Sequence, residues 1–309
     1  MSLYAKLKPA GPSGFGYGST AEDVTRGLDL AGRVILITGC NSGIGLESMR
    51  VLAARGATVI GAARSLDKAR AACASVTGAT VPVACELADP ASVLACVAEL
   101  GARPEALDAI ICNAGIMALP KRQVKHGYEL QFFTNHVGHF LLVTGLLDQL
   151  APAGRVIMLS SEAHRYAPPA GIEFDNLDGH RGYSGWRAYG QSKLSNMLFA
   201  KQLAKRFRDS ARVANALHPG VIETNLARHM NPLVGVGYKI AGPLFFKSIP
   251  QGAATQVWAA VHPDTARLNG EYLADCNVAR PHRHGLDEAL AERLWAKSEA
   301  IAAELTRGR

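Results

Sequence analysis

Apolar residues arrive along this chain in short unbroken runs, separated by longer stretches with helical periodicity. The first run covers residues 33–38 (Arg-Val-Ile-Leu-Ile-Thr), and a helical stretch follows over about 43–55. Further β-like runs cover 57–62, 81–85 and 107–112, with a charged helix opening near Ser65 and another at Asp89 between them. The pattern then predicts a long helix over 127–150, a fifth strand over 155–160, a second long helix over 186–208, a sixth strand over 212–217 and a short seventh over 270–273. Strands that are apolar throughout have both faces covered, which is the condition of a parallel sheet with helices on each side. With right-handed crossovers, this is a doubly wound α/β sheet of Rossmann type with about seven strands. Neither a second alternating unit nor a repeat is visible, so residues 31–309 read as a single domain. Residues 1–30, rich in Gly, Pro and Ser, read as an arm on its surface.

Two stretches without periodicity, 162–185 and 221–250, leave the carboxyl ends of the fifth and sixth strands, where open α/β sheets bind ligands. Loops of this length inside a domain are more often functional than idle. The second stretch gathers Met230, Leu233, Val234, Tyr238, Phe245 and Phe246. Singly, each is accounted for by core packing; together they predict an apolar lid over about 225–250 that covers a bulky substrate.

Composition narrows the class. With 48% hydrophobic and 19% charged residues the chain can bury a large core, which excludes global disorder. The formal charge of +7 suits an anionic ligand, but the basic residues are scattered, as at Lys201, Lys205, Arg206 and Arg208 on one expected helix, so no nucleic-acid partner is expected. The six cysteines form no Cys-x-x-Cys pair and read as small buried hydrophobes in a reducing compartment. Residues 1–30 hold no signal-like apolar run, and Lys239, Lys247, glycines and prolines interrupt 231–250, so the expectation is a cytoplasmic protein with no membrane span. Self-association as a homo-oligomer stays open.

The turn after the first strand reads Thr38-Gly39-Cys40-Asn41-Ser42-Gly43-Ile44-Gly45 and opens a helix, the context that a phosphate-binding glycine motif requires. Gly39 permits the tight turn, Gly43 lets backbone approach a pyrophosphate, and Gly45 permits close helix–sheet packing beneath the positive end of the helix. The second strand ends in Ala62-Ala63-Arg64 with no acid before Asp67. A carboxylate there would bind the ribose hydroxyls of NAD. An arginine instead offers bidentate hydrogen bonds to a 2′-phosphate, so the expected cofactor is NADP, with NAD as the alternative. Tyr189 and Lys193, in Tyr-Gly-Gln-Ser-Lys, stand one helical turn apart on one face. An ammonium beside a phenol lowers the phenol's pKa towards working pH and yields a group able to give or take a proton. His136 and His139 lack a third ligand at zinc-site spacing, as do His282 and His284, so no metal is expected. The absence of Gly-x-Ser-x-Gly speaks against a serine hydrolase.

From about residue 32 to 276 the order and spacing of these motifs resemble the short-chain dehydrogenases/reductases, and within them the retinol-dehydrogenase-like branch. Further carriers are Asn113-Ala114-Gly115, Thr134-Asn135-His136-Val137-Gly138-His139-Phe140, Ser160-Ser161-Glu162-Ala163-His164, His218-Pro219-Gly220 and Gly270-Glu271-Tyr272-Leu273-Ala274-Asp275-Cys276. The resemblance implies that Tyr189 is the general acid or base. It also implies that Lys193 holds the nicotinamide ribose and that Ser161, in preference to Ser160, hydrogen-bonds the substrate oxygen. Asn135 would hold a water of the proton relay. Asn113-Ala114-Gly115 would line the cofactor and tie neighbouring strands together, and Glu86-Leu87 would lie beside the adenine, with Glu longer than the usual Asp. Pro219-Gly220, with Val221, Ile222 and Thr224, would meet the carboxamide. The implied function is NADP(H)-dependent interconversion of a carbonyl and an alcohol on a bulky apolar substrate. The alternatives are an NAD-linked dehydrogenase with the same site and a non-catalytic dinucleotide-binding redox sensor.

Overall fold

Alternation of side chains across the first strand sets the architecture. In the computed structural model, which describes residues 7–222 and 246–307, β1 (Val34–Thr38) sends Val34 and Leu36 into one core and Ile35 and Ile37 into another. Each fully buried Leu or Ile here contributes roughly 1.5–3 kcal/mol of transfer free energy. Helix α1 (Gly43–Ala54), β2 (Thr58–Ala63), α2 (Leu66–Ala74), β3 (Thr80–Ala84), α3 (Pro90–Gly101) and β4 (Leu107–Cys112) follow in the expected alternation. Asp89 starts α3 by accepting the Ala91 N–H at 3.0 Å, with Pro90 in the first turn where its missing N–H costs nothing.

The chain departs from the predicted long helix over 127–150. A small antiparallel pair, β5 (Val124–Lys125) and β6 (Tyr128–Glu129), comes first. The buried Glu129 carboxylate then accepts the N–H groups of Gln131 and Phe132, both at 2.9 Å, and so starts the helix later than expected. One turn (Leu130–Phe132) leads into a π-helical segment (Phe133–Val137) and then α4 (Gly138–Gly145). By Leu150 the chain is already extended in β7 (Leu150–Leu159). Helix α5 (Gly185–Arg206), β8 (Val213–His218), α6 (Ile249–Val261), β9 (Tyr272–Ala274), β10 (Asn277–Val278) and α7 (Glu288–Thr306) complete the order.

Among the described residues the main sheet has eight strands in the order β10-β9-β8-β7-β4-β1-β2-β3, parallel except for the β10 edge. This is a Rossmann-type sheet, with one strand beyond the expected seven. Strand order reverses between β1 and β4, so the carboxyl ends of these two strands flank the crevice in which such sheets bind ligands.

One further feature corrects the sequence reading. Residues 7–30 are not wholly a surface arm: Ala21, Val24 and Leu30 are buried against the α1 side, and the Ala21 N–H donates to Pro250 O at 2.9 Å. Helix α6 covers the same face. On the opposite face α7 seals the core, with Trp295 5.1 Å from Phe140 and 5.5 Å from Phe199 between ring centroids. Thr224 and residues 225–245 of the expected lid lie outside the described residues. No helix among the described residues is long and apolar enough to cross a membrane.

Candidate active site

The turn after β1 forms a cradle. Gly39 has φ +71° and its N–H donates to Ala62 O at 2.8 Å, joining the turn to the end of β2. A Cβ at Gly45 would collide with the Gly39 carbonyl, so only glycine lets α1 start this close to the strand. The space above Gly43 is open, and Ser42 precedes the helix without a side-chain cap, leaving its first N–H groups for an anion. Asn41 and Ile44 flank this turn. Arg64 is exposed immediately after β2, two residues before the start of α2.

Asn113-Ala114-Gly115 closes the other side of the crevice. Asn113 Nδ2 donates to Thr38 O at 2.8 Å, and the Ala114 N–H donates to Thr38 Oγ1 at 3.0 Å, so β1 and β4 are tied at their ligand-facing ends. Asn113 Oδ1 is buried without a partner, a polar atom facing an unmet requirement. Beyond β3, Glu86 turns its carboxylate onto the local backbone, accepting the Ala88 N–H at 3.1 Å, whereas Leu87 is buried against Gly138 at the start of α4.

Asn135 sits within the π-helical segment, a widened turn common at functional sites. Its amide grips the segment beyond Gly115 twice: Oδ1 accepts the Ile116 N–H at 2.8 Å and Nδ2 donates to Ile116 O at 2.9 Å. Nδ2 also donates to Ser192 Oγ on α5 at 2.9 Å. Its backbone carbonyl is 2.9 Å from His139 Nδ1. Because a carbonyl only accepts, that nitrogen carries the proton, and Nε2 must accept from the Thr38 hydroxyl at 2.9 Å. Burial pushes His139 down to about 4, so the ring stays neutral. Thr38, Ala114, His139 and Asn135 therefore form one connected chain from the glycine turn to the π segment. The sequence reading gave His139 a structural role and did not see this link, because its partner Thr38 lies 101 positions away. Among the described residues no group of three or more His, Cys, Asp or Glu could hold a metal ion.

Helix α5 carries Tyr189 and Lys193 on one stripe. Ser160 and Ser161 follow β7 with different tasks: Ser160 Oγ donates to Lys193 O at 2.8 Å and fastens the helix, whereas the partly exposed Ser161 accepts the Ala163 N–H at 3.2 Å and stands close enough to the Tyr189 phenol to lower its pKa. Lys193 Nζ donates to Leu159 O at 2.9 Å and lies 5.8 Å from the Tyr189 ring centroid. A Cβ at Gly115 would be 3.5 Å from that Nζ and 3.1 Å from Asn135 Oδ1, so the three residues meet at the crevice floor. The expected depression of the tyrosine pKa is not found. Burial pushes Tyr189 up to about 12, against the opposing effect of the Ser161 hydroxyl, and pushes Lys193 down to about 8. Desolvation outweighs what spacing on a helix suggested.

Pro219 and Gly220 leave β8 beside this floor; Val221 is exposed and Ile222 pairs with Lys247 in an isolated bridge. Lys247 is fully buried and forms a 2.7 Å ion pair with Asp275. Asp275 and Cys276 both adopt left-handed conformations (φ +52° and +58°), which place the Asp275 carboxylate under the segment that leaves β8. The Tyr272 hydroxyl donates to Glu162 at 3.2 Å, next to Ser161. The motif from Gly270 to Cys276 thus braces two of the site loops.

Residues 33–174 match the family described as short chain dehydrogenase. Short-chain dehydrogenase TIC 32 A, chloroplastic, from Brassica napus is 40% identical over 96% of this chain and 97% of its own length. Retinol dehydrogenase 12 from Mus musculus is 38% identical over 88% of this chain and 86% of its own. A crystal structure of a protein from Mycobacterium Paratuberculosis is 32% identical and aligns with TM-score 0.73, covering 90% of this chain and 96% of that one.

Proposed function

The chain belongs to the short-chain dehydrogenase/reductase family, in its retinol-dehydrogenase-like branch, an NAD(P)-dependent class acting on alcohol and carbonyl groups, and we propose that it is an NADP(H)-linked reductase of bulky apolar carbonyl compounds. The observation that carries this reading is the convergence of Lys193 Nζ, 5.8 Å from the Tyr189 ring centroid, with Gly115 and Asn135 at the floor of the crevice.

The residues present fit a dinucleotide. The cradle of Gly39, Ser42, Gly43 and Gly45 would take the pyrophosphate, Arg64 the 2′-phosphate, and the unpartnered Asn113 Oδ1 marks the inner wall. Lys193 Nζ, beside Gly115, would reach the nicotinamide ribose, and Pro219 to Ile222 would border the ring. When bound, the cofactor supplies a hydride for the carbonyl carbon. The chain supplies the rest. Ser161 donates a hydrogen bond to the substrate oxygen as negative charge develops there. Tyr189 gives its hydroxyl proton to that oxygen, completing the alcohol. Burial favours the neutral phenol, the form that donates in the reductive direction. Asn135 fixes the segment beyond Gly115 and so positions Lys193's surroundings without touching the substrate.

Cofactor choice has a direct test. Arg64→Ala removes charge-assisted hydrogen bonds and is expected to weaken NADPH binding by about 1.5–3 kcal/mol, with NADH binding nearly unchanged. Titration of both cofactors into both proteins measures this. NADH binding equal to or tighter than NADPH binding in the unaltered protein would overturn the NADP reading.

A further inference from the structure

Exposure falls steeply over the first two turns of α5. It falls from 42% at Trp186 to 6% at Tyr189 and 4% at Lys193, three residues on a single stripe at i, i+3 and i+7. The crevice therefore has a mouth, and Trp186 stands at it. The protein's other two tryptophans, Trp258 and Trp295, are buried at 2% and 7% exposure. Leaving a large ring in water forgoes the burial that most tryptophans obtain.

Trp186 is not alone there. Its ring lies edge-on to Tyr189, 6.2 Å between centroids at 78°, and edge-on to Tyr166, 6.3 Å at 76°. Tyr166 is 64% exposed and comes from the short helix directly after Ser161, so the two rings flank the Ser161–Tyr189 pair from its two chain segments. The facing loop is apolar and held in a set shape. Ala118 takes a left-handed conformation (φ +47°), costly for a residue with a Cβ. It is kept there by the Tyr183 hydroxyl, which donates to Leu119 O at 2.9 Å, and by Asn135, which grips Ile116. A ring attached to a carbonyl whose oxygen reaches Ser161 and Tyr189 would lie within the 4.5–7 Å range over which aromatic rings interact.

We infer that Trp186, seconded by Tyr166, is the specificity-determining wall for the substrate body, and that it selects carbonyl compounds bearing a planar ring next to the carbonyl over flexible aliphatic ones of equal carbon number. The inference deepens the reductase reading and rests on it for the placement of the carbonyl. The wall contributes binding through ring–ring contact, so it acts on affinity and leaves the proton transfer from Tyr189 untouched.

Acetophenone and octan-2-one, both with eight carbons, provide the test. With NADP+ bound, a ketone cannot be reduced, so titration calorimetry of the NADP+-loaded protein reads affinity without turnover. Trp186→Ala is expected to weaken acetophenone binding about tenfold while octan-2-one changes less than about threefold, the size of an aromatic pair term. Trp186→Phe keeps a ring and should retain most of the acetophenone affinity. Equal losses for both ketones, no loss for either, or no acetophenone binding by the unaltered protein would overturn the wall. Turnover with NADPH is measured separately. Trp186-dependent binding without reduction would leave the wall standing and refute the reductase reading instead.

Discussion

Tyr189→Phe is expected to lower turnover by about 100-fold or more, the usual contribution of a positioned acid–base group. The substitution removes the transferable proton and little else. The ring keeps its place between Trp186 and Lys193, the latter still anchored to Leu159 O and the former still in edge contact. Cofactor affinity should therefore hold, because the glycine cradle and Lys193 are untouched. Steady-state rates alongside NADPH titration separate the two quantities. A variant retaining near-normal turnover would show that another group supplies the proton, and a variant that lost cofactor affinity instead would assign Tyr189 to binding.

A loss of similar size, but in stability, is expected from Asp275→Asn. The carboxylate receives Lys247 at 2.7 Å and Lys8 at 2.6 Å, and both ammonium groups lie near the Tyr17 ring, at 4.8 and 5.4 Å from its centroid. Burial pushes the Asp275 carboxyl up, but the two lysines outweigh it and hold the group below the usual carboxylate range. Asn keeps the shape and tolerates the left-handed backbone, so the change removes charge from an otherwise similar site. Lys247, fully buried, is then left uncompensated, at a cost of about 3–5 kcal/mol for a broken buried pair. Urea unfolding measures it. The Lys247 N–H also donates to Val221 O at 2.9 Å, so the same variant should loosen the segment that borders the nicotinamide site and weaken cofactor binding. A stability change under about 1 kcal/mol would mean that Lys247 is solvated in solution, as an exposed pair would be.

Strand positions were legible wherever apolar runs were short and bounded. Residues 107–112 were read to the residue, and β1, β2 and β8 within one position at each end. The glycine turn and the α5 stripe were legible because their chemistry depends on local spacing. Residues 127–150 were misread because the buried Glu129 carboxylate, a tertiary feature, decides where the helix starts. Helix α7 carries a local signal of its own, an Asp287 cap followed by Ala291, Leu294 and Ile301 near helical spacing. The tyrosine pKa was misjudged for a different reason: spacing places Lys193 near Tyr189, but only the packed structure shows that both are desolvated. The link from Thr38 through His139 to Asn135, and the exposure of Trp186, arise from parts of the chain that no local pattern brings together.

Transfer of a labelled hydride tests the central claim most directly. The protein is incubated with NADPH carrying deuterium at the reactive nicotinamide carbon and with a ring-bearing ketone such as acetophenone, and the alcohol formed is analysed by mass spectrometry. The account expects one deuterium on the carbinol carbon, formed in proportion to NADPH consumed, and its loss in Tyr189→Phe. NADPH that binds but transfers no deuterium to any member of a panel of ring-bearing and aliphatic ketones and aldehydes would contradict it, and would leave the fold as a dinucleotide-binding protein without this chemistry.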